Sequence, residues 1–584
     1  MLEPNHGQKM SGGKIIAQVL QNHGVKQLFT LSGGHIAPIF VEAENLGIRV
    51  IDTRHEVNTV FAADAVSRLS GIPGVAVVTA GPGVTNAITA VKNAYLAQSP
   101  LVLLGGGAAT VLKGRGSLQD INQTKIMKPN VKWQGRITRV KDIPKILNKA
   151  FRVSQSGVPG PVFVECPIDT LYSEDFIKGW YGVQSGSISK NKVVSKVVAW
   201  YVNRHLNKLF GGSKNVDIND GFAKPTYPKH SSIDIAKALT RINKAAKPVM
   251  LIGSGAMMDA RKADSLAAAV EKIGIPVYLS GMGRGLLGKN SALQMRHKRT
   301  EALKQADLII LAGVPNDFRL NYGTHIGATD FISINRSKTD LFKNKRPNLA
   351  IHADPQEFLI DLSKHNVNKC ADWINTLNEN DQKREDNINE QAAAEVDSIN
   401  PIKLFREMDK LLDDNTILVA DGGDFVATSA YTLKARAPLS WLDPGVFGTL
   451  GVGAGFAIGA KAVFPDKDVF IIYGDGSAGF SLMEYDTMMR HNLPVVSVIG
   501  NDAGWTQIAR DQVEFLNSTC ASVLEHSNYE LVGKAFGAEG VRVENIEDFT
   551  ASLKDAIEKS RNGKAYIINA IIGKTDFRKG SLSV

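Results

Sequence analysis

One run in the last third of the chain, Gly474-Asp475-Gly476-Ser477-Ala478-Gly479, sets a carboxylate inside a glycine turn between an apolar strand and a helix. Taken alone the run is a GxGxxG dinucleotide fingerprint, and Asp502 ends the next strand, where a ribose-binding carboxylate would sit. Charge argues against that reading. A bare carboxylate beside a pyrophosphate is repulsive, and a dinucleotide site holds no metal to relieve the repulsion. With a divalent cation between them the same carboxylate becomes a ligand, and Mg²⁺ usually takes one or two carboxylates plus phosphate oxygens and water. A second oxygen ligand is then needed at the next strand end. Asn501, Asp502 and the carbonyl of Gly504 lie there, 26 to 29 residues after Asp475.

Other runs become meaningful beside this one. Ile51-Asp52-Thr53-Arg54-His55-Glu56 ends an apolar strand and precedes a helix expected over Val57–Ser67. It is not a zinc-protease HExxH, which would need His at Thr59. Glu56 alone reads as an ordinary helix-start carboxylate. The turn Gly81-Pro82-Gly83-Val84-Thr85-Asn86, the run Gly448-Thr449-Leu450-Gly451-Val452-Gly453 and the loop Asp421-Gly422-Gly423-Asp424 all sit at expected strand ends or helix starts. Leu450 alone reads as a core residue.

Together these runs resemble the thiamine-diphosphate enzymes over about residues 11–575. The family's diphosphate signature is Gly-Asp-Gly, roughly two dozen residues, then Asn-Asn, and this chain has Asp502 at the second Asn. Whether Asn501 or Asp502 meets the metal stays open. The resemblance implies metal ligands among Asp475, Asn501, Asp502 and Gly504. It implies cofactor contacts from Gly81, Gly83, Asn86, Gly423, Asp424, Gly474, Asp475, Gly476, Ser477, Asn501 and Asp502. Leu450 would hold the cofactor bent. Glu56 would hydrogen-bond the pyrimidine ring, so that a ring nitrogen takes the proton from the reactive carbon.

Within the family the chain looks like the acetolactate synthase branch, and further like the second, acetolactate-synthase-like type of 2-hydroxyacyl-CoA lyase. Supporting runs are Trp441-Leu442-Asp443-Pro444-Gly445, Asn501-Asp502-Ala503-Gly504-Trp505-Thr506-Gln507 and Thr575-Asp576-Phe577-Arg578-Lys579-Gly580-Ser581. Gly33-Gly34-His35-Ile36 and Leu118-Gln119 resemble a benzaldehyde-lyase pattern, which makes His35 and Gln119 expected catalytic residues. The activity implied is cleavage of a 2-hydroxy fatty acyl-CoA to formyl-CoA and a shortened aldehyde, as in fatty acid α-oxidation. Alternatives are an acetolactate synthase-type carboligase acting on pyruvate and a non-catalytic cofactor-binding protein. Gly283-Arg284-Gly285-Leu286-Leu287 resembles a stretch of CoA-using relatives, so Arg284 is expected near a CoA phosphate; FAD is not expected, although no short motif separates the two. The resemblance also implies a homodimer or homotetramer on the cytosolic face of the endoplasmic reticulum membrane, the cytoplasm being the alternative.

The elements that must position these residues repeat three times. An apolar run, a glycine turn, a helix and a Pro-introduced second apolar run occur at Val75–Leu104, Pro248–Leu279 and Val469–Ile499. Strands alternating with helices predict parallel sheets covered on both faces, hence an α/β chain of three doubly wound domains. The expected bounds are a pyrimidine-binding domain at 11–172, a central domain at 232–365 and a diphosphate-binding domain at 400–575. A linker at 173–231, a polar helical connector at 366–399 and a tail at 576–584 complete the division. In the linker, Val193, Val197, Trp200, Tyr201, Leu206 and Phe210 are read on one side of a basic amphipathic helix, a form that suits a membrane surface.

The totals set limits. The 584 residues carry 43% hydrophobic and 22% charged side chains and a net charge of +10, as expected of a globular chain that favours acidic partners. Nucleic acid is not expected, because no aromatic-basic stripe or zinc spacing appears. Cys166, Cys370 and Cys520 are far apart and odd in number, which argues against a disulfide framework. No signal peptide is read, and no apolar run approaches the ~20 residues of a membrane span.

Overall fold

The computed structural model describes residues 11–186 and 192–578. The chain divides into two compact units, one holding residues up to Ser67 and Ile72–Thr226, the other Arg68–Gly71 and everything from Tyr227 onward.

The first unit contains one parallel sheet of β1 (Gln27–Thr30), β2 (Arg49–Asp52), β3 (Gly74–Val78), β4 (Leu101–Gly107), β5 (Trp133–Arg136) and β6 (Val162–Pro167), in the order β2-β1-β3-β4-β6-β5. The second unit contains two. β7 (Pro248–Ile252), β8 (Val277–Leu279), β9 (Gln294–Met295), β10 (Leu308–Ala312), β11 (Asp330–Asn335) and β12 (Leu349–His352) are ordered β12-β11-β10-β7-β8-β9. β13 (Thr416–Asp421), β14 (Trp441–Leu442), β15 (Asp468–Gly474), β16 (Val496–Asn501), β17 (Glu539–Val543) and β18 (Tyr566–Ile571) are ordered β14-β13-β15-β16-β18-β17. Every ladder is parallel, as the three apolar–glycine–helix blocks predict.

The central strands are buried along their whole length, because helices cover both faces. In the first sheet, Val75, Val77, Val102 and Leu104 pack with Ile15, Leu20, Leu147 and Phe151. In the third, Leu418, Phe470, Ile472 and Val498 pack with Phe405, Phe425 and Phe549.

Strand order also marks where ligands bind. In open α/β sheets a crevice forms at the carboxyl ends of strands where the order reverses. In the first sheet that point lies between β1 and β3, which are paired at Thr30 and Val77. In the third it lies between β13 and β15, paired at Asp421 and Tyr473.

Two expectations fail locally. The helix after each glycine turn is broken. Pro82–Asn86 and Ile88–Leu96 stand where one helix was expected. Asp475–Ala478 and Tyr485–Arg490 do the same in the third block. In the second, only Ala263–Ile273 is α-helical. The helix expected in the linker spans Lys192–Phe210, but its apolar residues do not share one side. Leu206, Leu209 and Phe210 are buried in the first unit's core, whereas Val197, Trp200 and Tyr201 are exposed. At 3.6 residues per turn, Leu206 lies nearly opposite Val197, which accounts for the split. The side chains of Val193 and Lys196 fall outside the described residues, as do residues 579–584 of the expected tail. A 22-residue helix, Ala371–Ala392, lies in the polar connector. Among the described residues, no helix is long and apolar enough to cross a membrane.

Candidate active site

In the first unit, β2 ends at Asp52 and a short turn delivers Glu56 as the first residue of the helix Glu56–Ser70. The helix dipole favours a carboxylate there. Glu56 is buried, and Asn86 Nδ2 donates to its Oε2 at 3.0 Å. Gly81 follows β3 with φ +63°, and a Cβ there would lie 2.9 Å from the Gln119 carbonyl oxygen. Only glycine fits both demands. Its N–H donates to Gln123 Oε1 at 3.2 Å, and Gln123 Nε2 donates to the Gly106 carbonyl at 2.6 Å. Gly83 packs on Thr79.

His35 and Gln119 are brought to one place by Thr79, a residue that the sequence motifs did not single out. Thr79 Oγ1 lies 3.5 Å from His35 Nδ1 and 3.5 Å from Gln119 Oε1. His35 follows β1 and Thr79 follows β3, so the trio marks the reversal point of the first sheet. Burial lowers the His35 pKa, leaving the imidazole neutral at neutral pH.

In the second unit, Asp475 opens the short helix after β15 and is 2% exposed. The N–H groups of Gly476 and Gly504 donate to its two oxygens at 2.7 and 3.0 Å. Asp502 follows β16, and its Oδ2 accepts from Thr506 Oγ1 at 2.5 Å. Burial, and then the charge of Asp502, pushes the Asp475 carboxyl up to about 7; burial also raises Asp502. Two carboxylates whose proton affinity is raised, Asp475 by burial and the charge of Asp502 and Asp502 by burial, form a donor set a divalent cation would relieve. Among the described residues, no three His, Cys, Asp or Glu side chains cluster to hold a metal. The fit is therefore to a cation that brings part of its own shell as phosphate oxygens and water.

Asn501, one of the two residues left open as a metal ligand, is held in the sheet. It is fully buried, and its Nδ2 donates to Asn569 Oδ1 at 3.1 Å and to the Ser527 carbonyl at 3.3 Å. Its Oδ1 accepts from the Ala503 N–H and meets His526 Nδ1 at 3.2 Å. The amide closes the end of the sheet. Ser477 likewise turns its hydroxyl to the carbonyls of Asp421 and Gly474, which fastens β15 to β13.

The loop with Leu450 hangs on Asp421, a fully buried carboxylate at the end of β13 whose role no local pattern revealed. Its oxygens accept the N–H groups of Gly451 at 3.0 Å and Gly453 at 2.7 Å, the first directly after Leu450 and the two flanking Val452. Burial still pushes its pKa up to about 7. Replacing Asp421 by Ala would leave two buried N–H groups unpaired, at about 1–3 kcal/mol each. A loss of roughly 2–5 kcal/mol is expected in denaturant unfolding, with Asp421→Asn intermediate because its amide can accept only one of the two bonds.

Gly423 caps the helix Asp424–Thr432 and packs on Gln507; Asp424 is paired with Arg510. Trp505 covers Gly476, so Gly476 has no room for a side chain. Arg284, expected near a CoA phosphate, is engaged within the chain. Its guanidinium donates to the Ala430 carbonyl at 3.2 Å and lies over the Trp441 ring, joining the two sheets of the second unit.

Comparison with known proteins decides the family. Residues 10–126 match the thiamine pyrophosphate enzyme N-terminal TPP binding domain, 235–362 the central domain and 421–569 the C-terminal TPP binding domain. The chain belongs to the thiamine pyrophosphate enzyme family. As a family member it is 46% identical to a 2-hydroxyacyl-CoA lyase 2 of Danio rerio over 98% of this chain and 93% of the relative. The Homo sapiens 2-hydroxyacyl-CoA lyase 2 is 44% identical over 98% and 92%. The acetolactate synthase large subunit IlvG of Mycobacterium tuberculosis is 32% identical over 97% and 96%. The two TPP-binding matches contain the Glu56 and Asp475 sites respectively. Thiamine diphosphate is thus the cofactor of the fold.

Proposed function

We propose that the chain is a thiamine-diphosphate- and Mg²⁺-dependent 2-hydroxyacyl-CoA lyase, releasing formyl-CoA and an aldehyde one carbon shorter. The observation that carries this reading is full-length likeness: 44–46% identity to lyases of that name against 32% to an acetolactate synthase.

Bound thiamine diphosphate supplies a nucleophilic carbon beside which a bond to a carbonyl carbon can open. The chain's own residues do the rest. Asp475, Asp502 and the Gly504 carbonyl would hold Mg²⁺; the engagement of Asn501 with Asn569 and Ser527 supports Asp502 as the second side-chain ligand. Glu56, kept in place by Asn86, would hydrogen-bond the pyrimidine ring and carry the proton exchanged with it. The Leu450 loop, fixed by Asp421, would present the Leu450 side chain to the cofactor. As the C1–C2 bond of the acyl-CoA breaks, the C2 hydroxyl must lose its proton and C1 must gain one. Neutral His35 accepts that hydroxyl proton and returns it, while Gln119 orients the substrate through its amide. A homodimer or homotetramer completes the reading, and full activity in a sedimenting monomer would contradict it.

The test incubates the purified chain, cofactor and Mg²⁺ with a 2-hydroxyacyl-CoA or with pyruvate. Aldehyde and formyl-CoA from the first, with no acetolactate from the second, is the expected result. Acetolactate would make the chain a carboligase, and no product from either would make it a cofactor-binding protein.

His35 adds a pH signature. Its pKa is lowered, so the acid limb of kcat/KM is expected below the ordinary histidine value of about 6.5, with activity falling as pH drops through it. His35→Gln should abolish that limb and lower kcat roughly 10²-fold. A limb that persists in the variant would remove His35 from the proton path.

A further inference from the structure

The helix Lys192–Phe210 carries two apolar stripes, and among the described residues only one packs into the first unit's core. Val202, Leu206, Leu209 and Phe210 face the first unit's core. His205 Nε2 meets Thr110 Oγ1 at 2.8 Å, and Thr110 Oγ1 donates to the buried Asp169. The preceding helix, Glu174–Gly186, is tied to the same carboxylate by Tyr181 Oη at 2.8 Å. The pair of helices is thus firmly based on the first unit.

Val197, Trp200, Tyr201 and Arg204 follow one another at three- and four-residue steps, so they line the other side. Val197 is 61% exposed, Trp200 60% and Tyr201 49%, and the Arg204 guanidinium lies over the Trp200 ring. Lys208, one turn on, is exposed on the same side. Exposed aromatic rings with basic neighbours on one helix face are the composition of an interfacial membrane contact. The charge around them is one-sided. From Phe176 to Val216 the sequence has seven Lys or Arg and no Asp or Glu. An open apolar hollow of about 530 Å³, lined by Ile168, Tyr172, Phe176 and Trp180, lies beside and on the preceding helix.

We propose that this outward face of Lys192–Phe210 docks on an anionic lipid surface, with Trp200 and Tyr201 entering the headgroup layer and Arg204 and Lys208 pairing with lipid charge. The cation count selects an anionic surface, since a basic segment near one gains about tenfold in affinity or less per charge and loses it in salt. The proposal is independent of the lyase assignment.

The test is flotation of the full chain with vesicles of phosphatidylcholine alone or mixed with phosphatidylserine. Wild type is expected to float with the mixed vesicles, to stay down with the neutral ones and to be released by salt. Trp200→Ala, and separately Arg204→Glu with Lys208→Glu, should each weaken that binding at least about tenfold. Melting temperature, sedimentation coefficient and turnover should not change. Absence of wild-type binding, equal binding to neutral vesicles, or binding that survives in both variants would overturn the proposal. A variant that sediments as a smaller species would overturn it too, by assigning the stripe to a second copy of the chain.

Discussion

Glu56→Gln is expected to lower kcat roughly 10³–10⁴-fold while the protein stays folded and still binds its cofactor. The geometry separates these effects. Asn86 Nδ2 donates to Glu56 Oε2 at 3.0 Å, and the amide oxygen of Gln can accept the same bond. Loss of a charge at the first position of the helix Glu56–Ser70 costs about 0.3–1 kcal/mol. Neither change threatens the fold. What Gln cannot do is share a proton with the pyrimidine ring, because an amide does not titrate in water. Calorimetric titration with thiamine diphosphate and Mg²⁺ should therefore give an affinity within several-fold of wild type, beside a collapsed turnover. Unchanged turnover would remove Glu56 from the chemistry and, with it, the proposed division of labour between the two ends of the chain.

How much of this was legible beforehand depends on the range of the interaction. Parallel sheets were readable because β3, β7 and β15 are short apolar runs ending in glycine turns, and such runs are buried on both faces. Glu56 and Asp475 were readable because each stands at a strand end, where a one-dimensional pattern still fixes location. The breaks in the helices after the glycine turns were not readable. Asp421 was hidden because its partners, the N–H groups of Gly451 and Gly453, carry no side-chain signature.

Arg284 and the linker helix show the opposite failure, in which a suggestive local pattern was answered by its own fold. A guanidinium beside glycines suggests phosphate, yet Ala430 and Trp441 already engage it. An apolar count along Val197–Phe210 suggests one stripe, yet helical rotation divides it between core and surface. Between Asn501 and Asp502 the family spacing leaves the choice open; the hydrogen bonds of Asn501 to Asn569 and Ser527 close the sheet, whereas the charge of Asp502 acts on Asp475.

That distinction sets up the larger test of the second half-site. Asp475→Asn is expected to weaken Mg²⁺-dependent thiamine diphosphate binding at least about 100-fold, since a removed carboxylate ligand is not replaced by an amide of equal donor strength. A readout without turnover follows from linkage. In the metal-free chain the Asp475 carboxyl sits at about 7, above its ordinary 3.8. Between those values the folded state holds a proton that the unfolded state has released. Stability from this group is therefore full below about 4, declines as pH rises, and is gone above about 7. Mg²⁺ binds the ionised pair, so at pH 8 it should raise the melting temperature of wild type, and less so at pH 5, where protons compete for the same oxygens. Asp475→Asn should flatten the acid-side slope and lose the Mg²⁺ shift together. Asp502→Asn should keep much of the shift, because an amide oxygen at that position can still coordinate while the neighbouring charge that raises Asp475 is removed. A variant at Asp475 that kept its Mg²⁺-dependent stabilisation would place the cation elsewhere and break the link between the glycine turn and the diphosphate.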